Sequence, residues 1–192
     1  MAIDVGPSCI DRNSYLMKDN TGITADNPAN ATGTIDTVCV YPATSCTKLE
    51  FAAFTPDGGN FFHTNGDTDG SGLSATIGQT NTFTSAGNDF TAFAITSGDY
   101  IGYLEDGGTG YVDRSTSGAS GLWHLVSDEI PCSSTEFTVK GSDDNISVYA
   151  TGTESGGDGP ANLKSVDGVA KADIKSAGGI SLADIKSIGG IE

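Results

Sequence analysis

A chain of 192 residues is long enough for one sizeable hydrophobic core with an appendage, and 36% hydrophobic with 18% charged residues argues against wholesale disorder. Only 9 basic residues stand against 25 acidic ones, a formal charge of −16. That balance repels nucleic acid backbones and anionic membranes, which are bound mainly through Lys and Arg, so neither is expected as a partner.

The chain starts Met-Ala-Ile-Asp-Val-Gly-Pro, with no basic stretch followed by an apolar one, and no later run approaches the roughly 18 apolar residues of a membrane span. The expectation is a protein with neither a secretion signal nor a membrane anchor. From Ser14 to Ala150, short β-like runs alternate with Gly, Asn, Asp and Pro turns, and helical periodicity is almost absent. The clearest predicted strands are Gly33 to Tyr41, Leu49 to Thr55, Phe90 to Thr96, Tyr100 to Leu104, Gly121 to Val126, Glu136 to Lys140 and Ile146 to Ala150. Phe51, Ala53 and Thr55 oppose Ala52 and Phe54, while Ile146, Val148 and Ala150 share one face. Short strands about ten residues apart, with aromatics spread across them, predict an all-β, two-sheet sandwich of the jelly-roll kind over residues 1–152.

Cys9, Cys39, Cys46 and Cys132 are too few for a disulfide scaffold and lack the paired spacing of a zinc site. Cys39 and Cys46 flank a turn containing Pro42, which allows a hairpin disulfide, although two ordinary thiols at strand ends is the favoured expectation.

After Gly152 the composition changes. Residues 153–159 (TESGGDG) read as a flexible linker, and residues 160–192 hold three copies of an eleven-residue unit. These run from Asn162 to Val169, from Asp173 to Ile180 and from Asp184 to Ile191, with eight aligned positions alike in type or identity. Pro160 suits a first helical position, Ser181 an N-cap, and Gly178 and Gly189 a left-handed C-terminal residue. Leu182, Ile185 and Ile188 make an apolar stripe. Each unit is therefore expected to form a short helix, a Gly turn and one extended apolar residue, and a helix so short needs a surface to bury it.

Residues 161–192 carry four Lys and four acids, leaving all of the −16 on residues 1–160. Of that charge, two acids, Glu154 and Asp158, stand in the linker and the body itself holds 19 acids against 5 bases, so the tail lacks the repulsion that keeps bodies apart. The residues expected to dock or oligomerise are Leu163, Val166, Val169, Ile174, Ile180, Leu182, Ile185, Ile188 and Ile191. The alternative is that the units fold back as a cap on the body.

The run Asn27-Pro-Ala-Asn-Ala-Thr-Gly-Thr-Ile35, then Gly98-Asp-Tyr-Ile-Gly102, Gly121-Leu-Trp123 and the terminal Ala183-Asp-Ile-Lys-Ser-Ile-Gly-Gly-Ile191, resembles bacteriophage and environmental-phage virion structural proteins. In these a β-sandwich precedes short repeats containing Ala-x-Ile-Lys-x-Ile-x-Gly. The resemblance spans most of the chain and implies a virion component, either a capsid decoration protein or part of a tail, assembled in the host cytoplasm. Its partners would be other virion proteins and copies of itself, with a trimer favoured. No catalytic residue and no cofactor is implied.

Among residues that could carry chemistry, Asp67-Thr-Asp69-Gly-Ser-Gly72 begins like an acidic Ca²⁺ loop, but the acid needed at position twelve falls on Gly78, so Asp67 and Asp69 are expected in a polar turn. His63 and His124 are the only bases of their type, and no Gly-x-Ser-x-Gly elbow accompanies them. Glu105 with Asp106, or Asp128 with Glu129, could pair for glycoside hydrolysis, yet both adjoin predicted turns. Sugar binding is the stronger rival to a purely structural role. Phe61, Phe62, Tyr103, Tyr111 and Trp123 are the candidate stacking rings, each equally suited to a core.

Overall fold

A computed structural model describes residues 2–16, 18–68, 70, 72–105 and 110–155, and beyond these the backbone of four two-residue strands. The chain divides into two units, Met1–Thr153 and Glu154–Glu192. The described residues are all-β, without a helix.

The first unit contains β1 (Ala2–Val5), β2 (Ser14–Leu16), β3 (Thr21–Thr24), β4 (Gly33–Val40), β5 (Pro42–Thr44), β6 (Cys46–Gly58), β7 (Phe61–Asp67), β8 (Leu73–Ala75) and β9 (Asn81–Thr84). It continues with β10 (Phe93–Ile95), β11 (Tyr100–Glu105), β12 (Tyr111–Ser115), β13 (Leu122–Leu125), β14 (Thr135–Glu136), β15 (Thr138–Gly141), β16 (Asn145–Ile146) and β17 (Val148–Glu154). They form three antiparallel sheets. One has the order β1-β17-β4-β10, with β9 also on β4. The largest runs β14-β7-β6-β11-β3-β13-β15, with β8 on β6. The smallest is β16-β12-β2, with β5 on β12.

The middle of the largest sheet is covered on both faces, and β6 shows how. Phe51 and Ala53 point into the main core beside Ile35, Val38, Ile101 and Val148, while Ala52 and Phe54 point into a second core with Ile23, Phe62, Leu104, Ile130 and Phe137. All four consecutive β6 residues are 0% exposed, so this strand reads as a continuous apolar run rather than an alternating one. β3 is buried at all four positions for the same reason: it lies between β11 and β13. Gly102 on β11 permits this close packing. A Cβ there would stand 2.5 Å from the Gly22 carbonyl oxygen and 2.7 Å from Phe54 Cε2.

Asp99 ties the turn before β11 to its neighbours. Its carboxylate is 1% exposed and accepts hydrogen bonds from Thr55 Oγ1 at 2.7 Å, Asn65 Nδ2 at 2.7 Å and the Thr96 amide at 2.8 Å. Buried charge is tolerated when its lone pairs are filled in this way.

Two expectations are corrected. The hairpin pairing of Cys39 with Cys46 does not occur, and neither does the favoured state of two free thiols: Cys39 is bonded to Cys9, and Cys46 is a free, buried thiol. Pro42 opens a strand of its own, β5, which pairs with β12 rather than closing a Cys39–Cys46 hairpin. In the second unit the described residues are strands: β18 (Ser165–Val166) pairs antiparallel with β19 (Val169–Ala170), and β20 (Ser176–Ala177) with β21 (Ile180–Ser181). Val169 and Ile180 are thus extended as expected, Ser165–Val166 and Ser176–Ala177 are extended where the ends of helical turns were expected, and the rest of each expected turn lies outside the described residues. The dipeptides between the paired strands are Asp-Gly and Gly-Gly. These are among the strongest two-residue hairpin signals, and they compete with a helix C-cap for the same glycine. The third unit lies outside the described residues.

A candidate recognition cleft

The cleft with the richest chemistry is built around the small sheet. Its walls are the segment entering β2 (Asp11 to Tyr15), the corner between β4 and β5 (Tyr41 to Ala43), the turn at Ile77 and Gly78, and Asp113 on β12, enclosing about 290 Å³. Backbone bonds hold these pieces in register. The Asp113 amide donates to the Tyr41 carbonyl at 3.1 Å, Tyr41 to Ser147 at 3.1 Å, Ser147 to Asp113 at 2.8 Å, and Gly78 to Pro42 at 3.3 Å.

Arg12 fastens the entering segment. Its amide donates to Asp113 Oδ2 at 3.0 Å, its Nε to Ser147 Oγ at 2.6 Å, and its Nη2 to the Ser8 carbonyl at 2.8 Å, while Ser147 Oγ donates onward to the Ile10 carbonyl. The guanidinium is thereby tied to the scaffold.

The carboxyls of Asp11 and Asp113 face each other. Asp113 is held above the usual carboxylate range, chiefly by burial, opposed by the Arg12 amide and reinforced by the charge and hydrogen bond of Asp11. Burial and then the charges of Asp11 and Asp113 raise the Tyr41 phenol. Tyr15 is 50% exposed and stacks on Tyr111, with ring centroids 4.9 Å apart and planes 16° off parallel. Ile77 on the rim is 53% exposed, and Ile10, next to Asp11, is 52% exposed. Half of the six large hydrophobics that the described residues leave exposed therefore gather here, a concentration that marks an interaction surface more than scattered single residues do.

A second cleft, beside the disulfide, is lined by Asp4, Asn27, Cys9, Cys39, Thr80 and Tyr149 among others. Its polar groups satisfy one another: Asp4 accepts from the Tyr149 hydroxyl and from Asn27. A third holds Asp57, His63, Thr64, Cys132, Ser133 and Ser134. His63 Nδ1 lies 2.7 Å from Asp57 Oδ1, an orienting pair in the style of a hydrolase, but the Cys132 thiol is raised by burial and bonded to Thr64 Oγ1. A thiol kept protonated is a poor nucleophile.

The ring residues expected to meet sugars are mostly inside. Phe62 and Tyr103 are each 1% exposed, which removes them as stacking platforms. Trp123 is half-buried against Phe62 and Tyr100 and donates its Nε1 proton to Asn60 Oδ1. Tyr111 stacks on Tyr15 without itself lining the cleft, and Phe61 is exposed elsewhere, on β7. The described acids of the two candidate pairs are engaged in structural hydrogen bonds. Glu105 is buried and accepts the Gly110 amide, Asp128 caps the Ile130 amide, and Glu129 accepts from Ser127 and Thr135. Asp106 lies outside the described residues. His124 is bonded to Asn20 Oδ1 and held below the usual imidazole range by burial, then by Lys140 and Arg114.

Asp67 ends β7, Asp69 lies outside the described residues, and no group of three or more metal-ligating side chains gathers among the described residues. Of the tail residues, Val166, Val169 and Ile180 sit on the short strands, while Leu163, Ile174, Leu182, Ile185, Ile188 and Ile191 lie outside the described residues. No protein-family model matches the chain, and neither a curated protein nor a solved structure is significantly similar to it.

Proposed function

We propose that the chain is a non-enzymatic structural component of a bacteriophage particle, a capsid decoration or tail protein. Its acidic body is displayed on the outside and its C-terminal units attach or oligomerise it, as a homotrimer by preference. The observation that carries this reading is the division of the chain. Residues up to Thr153 form a β body with cores of its own and carry 19 acids against 5 bases, while residues 161–192, which hold the tandem units, are neutral. We read the two larger sheets, whose inner faces share the main core, as a sandwich of the jelly-roll type. The Cys9–Cys39 disulfide supports outside display, since such bonds persist in oxidising surroundings and a released particle meets them.

The test is a chain ending at Ser155, one residue past β17. It should keep its β-rich circular dichroism and cooperative unfolding, because its cores are intact, while losing oligomerisation or particle attachment. Ile185→Asp and Ile188→Asp in the full chain should act likewise by placing a charge in the contact surface. A truncated chain that assembles normally refutes attachment through the tail, and one that assembles normally but melts lower supports the capping alternative.

A further inference from the structure

We propose that the cleft between β2, β5 and β12 is a binding site for neutral saccharides, with Tyr15 as the stacking platform and Asp11, Asp113, Asn13 and Tyr41 as the hydroxyl-bonding groups. This does not rest on the particle-attachment reading, since the cleft lies wholly within the body.

The platform comes first. An exposed tyrosine normally folds one ring face onto the protein and wets the other. Here one face is occupied by Tyr111 lying nearly parallel at 4.9 Å, so Tyr15 is held flat and its other face is offered to solvent at fixed orientation. A pyranose presents a patch of axial C–H groups of matching shape, and burying it against a ring already immobilised costs little side-chain entropy.

The polar groups come second. Sugar hydroxyls donate well to carboxylates, and two carboxyls facing each other at the cleft wall supply acceptors aimed at one place. Asn13, exposed on the same rim, supplies both a donor and an acceptor. The Tyr41 hydroxyl adds a third kind of partner.

Charge then selects the class of sugar. No lysine lines the cleft, its single arginine is tied to Ser8 and Ser147, and two carboxylates stand in the wall of a protein of charge −16. A uronic or sialic acid would enter against that field with no cation to meet it. The open cleft, near the small end of the ligand-site range of about 300–1,000 Å³, suits a short stretch of chain held with modest affinity.

The experiment is calorimetric titration of the full chain with cellohexaose, maltohexaose and mannohexaose as neutral probes and trigalacturonate as the anionic one. It is repeated with Tyr15→Ala, Asn13→Ala and, as a control outside the cleft, Phe61→Ser. At least one neutral probe should bind, Tyr15→Ala should weaken it by about tenfold or more, Asn13→Ala should weaken it less, and Phe61→Ser should leave it unchanged. Circular dichroism and the melting temperature of each variant establish that the fold is kept, and Asn13→Ala, altering only an exposed side chain, retains the test if Tyr15→Ala does not fold. Four results would overturn the proposal: no neutral probe binding at about 10 mM, binding unaffected by both cleft variants, tighter binding of trigalacturonate, or sugar-independent loss of self-association in Tyr15→Ala, which would make the cleft a contact between copies.

Discussion

Reducing the Cys9–Cys39 bond should be the most informative single perturbation of the body. The bond closes a loop of 30 residues that contains β2, β3 and the start of β4. On the chain-entropy estimate such a loop stabilises the fold by about 3.6 kcal/mol, through restriction of the unfolded chain. Native stabilities are commonly about 5–15 kcal/mol, so the loss would be a large fraction of the whole. With a urea m value of about 2–3 kcal/mol per molar, the unfolding midpoint should fall by roughly 1–2 M, in Cys9→Ser/Cys39→Ser as in the reduced protein. The assay is equilibrium urea unfolding of oxidised and reduced samples, with a non-reducing peptide map. The map should join Cys9 to Cys39 and leave two thiols. Of these, Cys46 is buried and pushed up to about 12, chiefly by desolvation, so it should resist alkylation until the protein unfolds. Coincident midpoints, or a map joining Cys39 to Cys46, would refute the reasoning.

Asp99→Ala removes three hydrogen bonds to a buried carboxylate, leaving Thr55 without this acceptor and Asn65 with Thr96 Oγ1 alone, and should cost about 3–5 kcal/mol in urea unfolding. Gly102→Ala forces a methyl against the Gly22 carbonyl and the Phe54 ring and should cost about 1–3 kcal/mol, with loss of near-ultraviolet aromatic signal as the confirming sign. His124 is held below the ordinary imidazole value of 6.5, mainly by burial. The unfolded chain therefore binds its proton first as pH falls, and stability that is full above about 6.5 declines below it. His124→Gln should show a shallower loss between pH 7 and 5 than the parent, and parallel curves would show that His124 does not contribute.

Local signals carried the body's strands well where alternation or dense β-branched residues marked them, as in β4 and β11. They failed where tertiary cover changes the pattern. β3, with sequence TGIT, has no alternation because both its faces are buried, and β2 is only three residues long. The disulfide was illegible for a different reason. Cys9 lies outside any strand and meets Cys39 only after β1 has paired with β17 and brought the N-terminal segment over β4. In the tail, Asp-Gly and Gly-Gly serve a helix C-cap and a hairpin loop equally, so these dipeptides alone do not distinguish the two.

The cleft was missed because a ring's exposure is a property of its neighbours. Phe62 and Trp123 carry the same local signal as Tyr15, yet the segment containing Ile130 and Phe137 packs against the first two, while Tyr15, stacked on Tyr111, stays half exposed. The contact between Asp11 and Asp113 spans a hundred residues and has no local signature at all.

The pairing of β1 with β17 has a mechanical consequence. Ala2 stands opposite Thr153 and Val5 opposite Ala150, so the chain enters the body and leaves it at the same end of one strand pair. A pull applied between the N-terminus and the tail loads that pair in the unzipping direction, breaking its hydrogen bonds one after another rather than all together. The peeling would stop at Cys9, where the bond to Cys39 transfers the load to β4 in the middle of its sheet. The first few residues would thus yield at low force and the remainder only at a much higher one, a two-stage extension that single-molecule stretching would resolve and that reducing agent would merge into one.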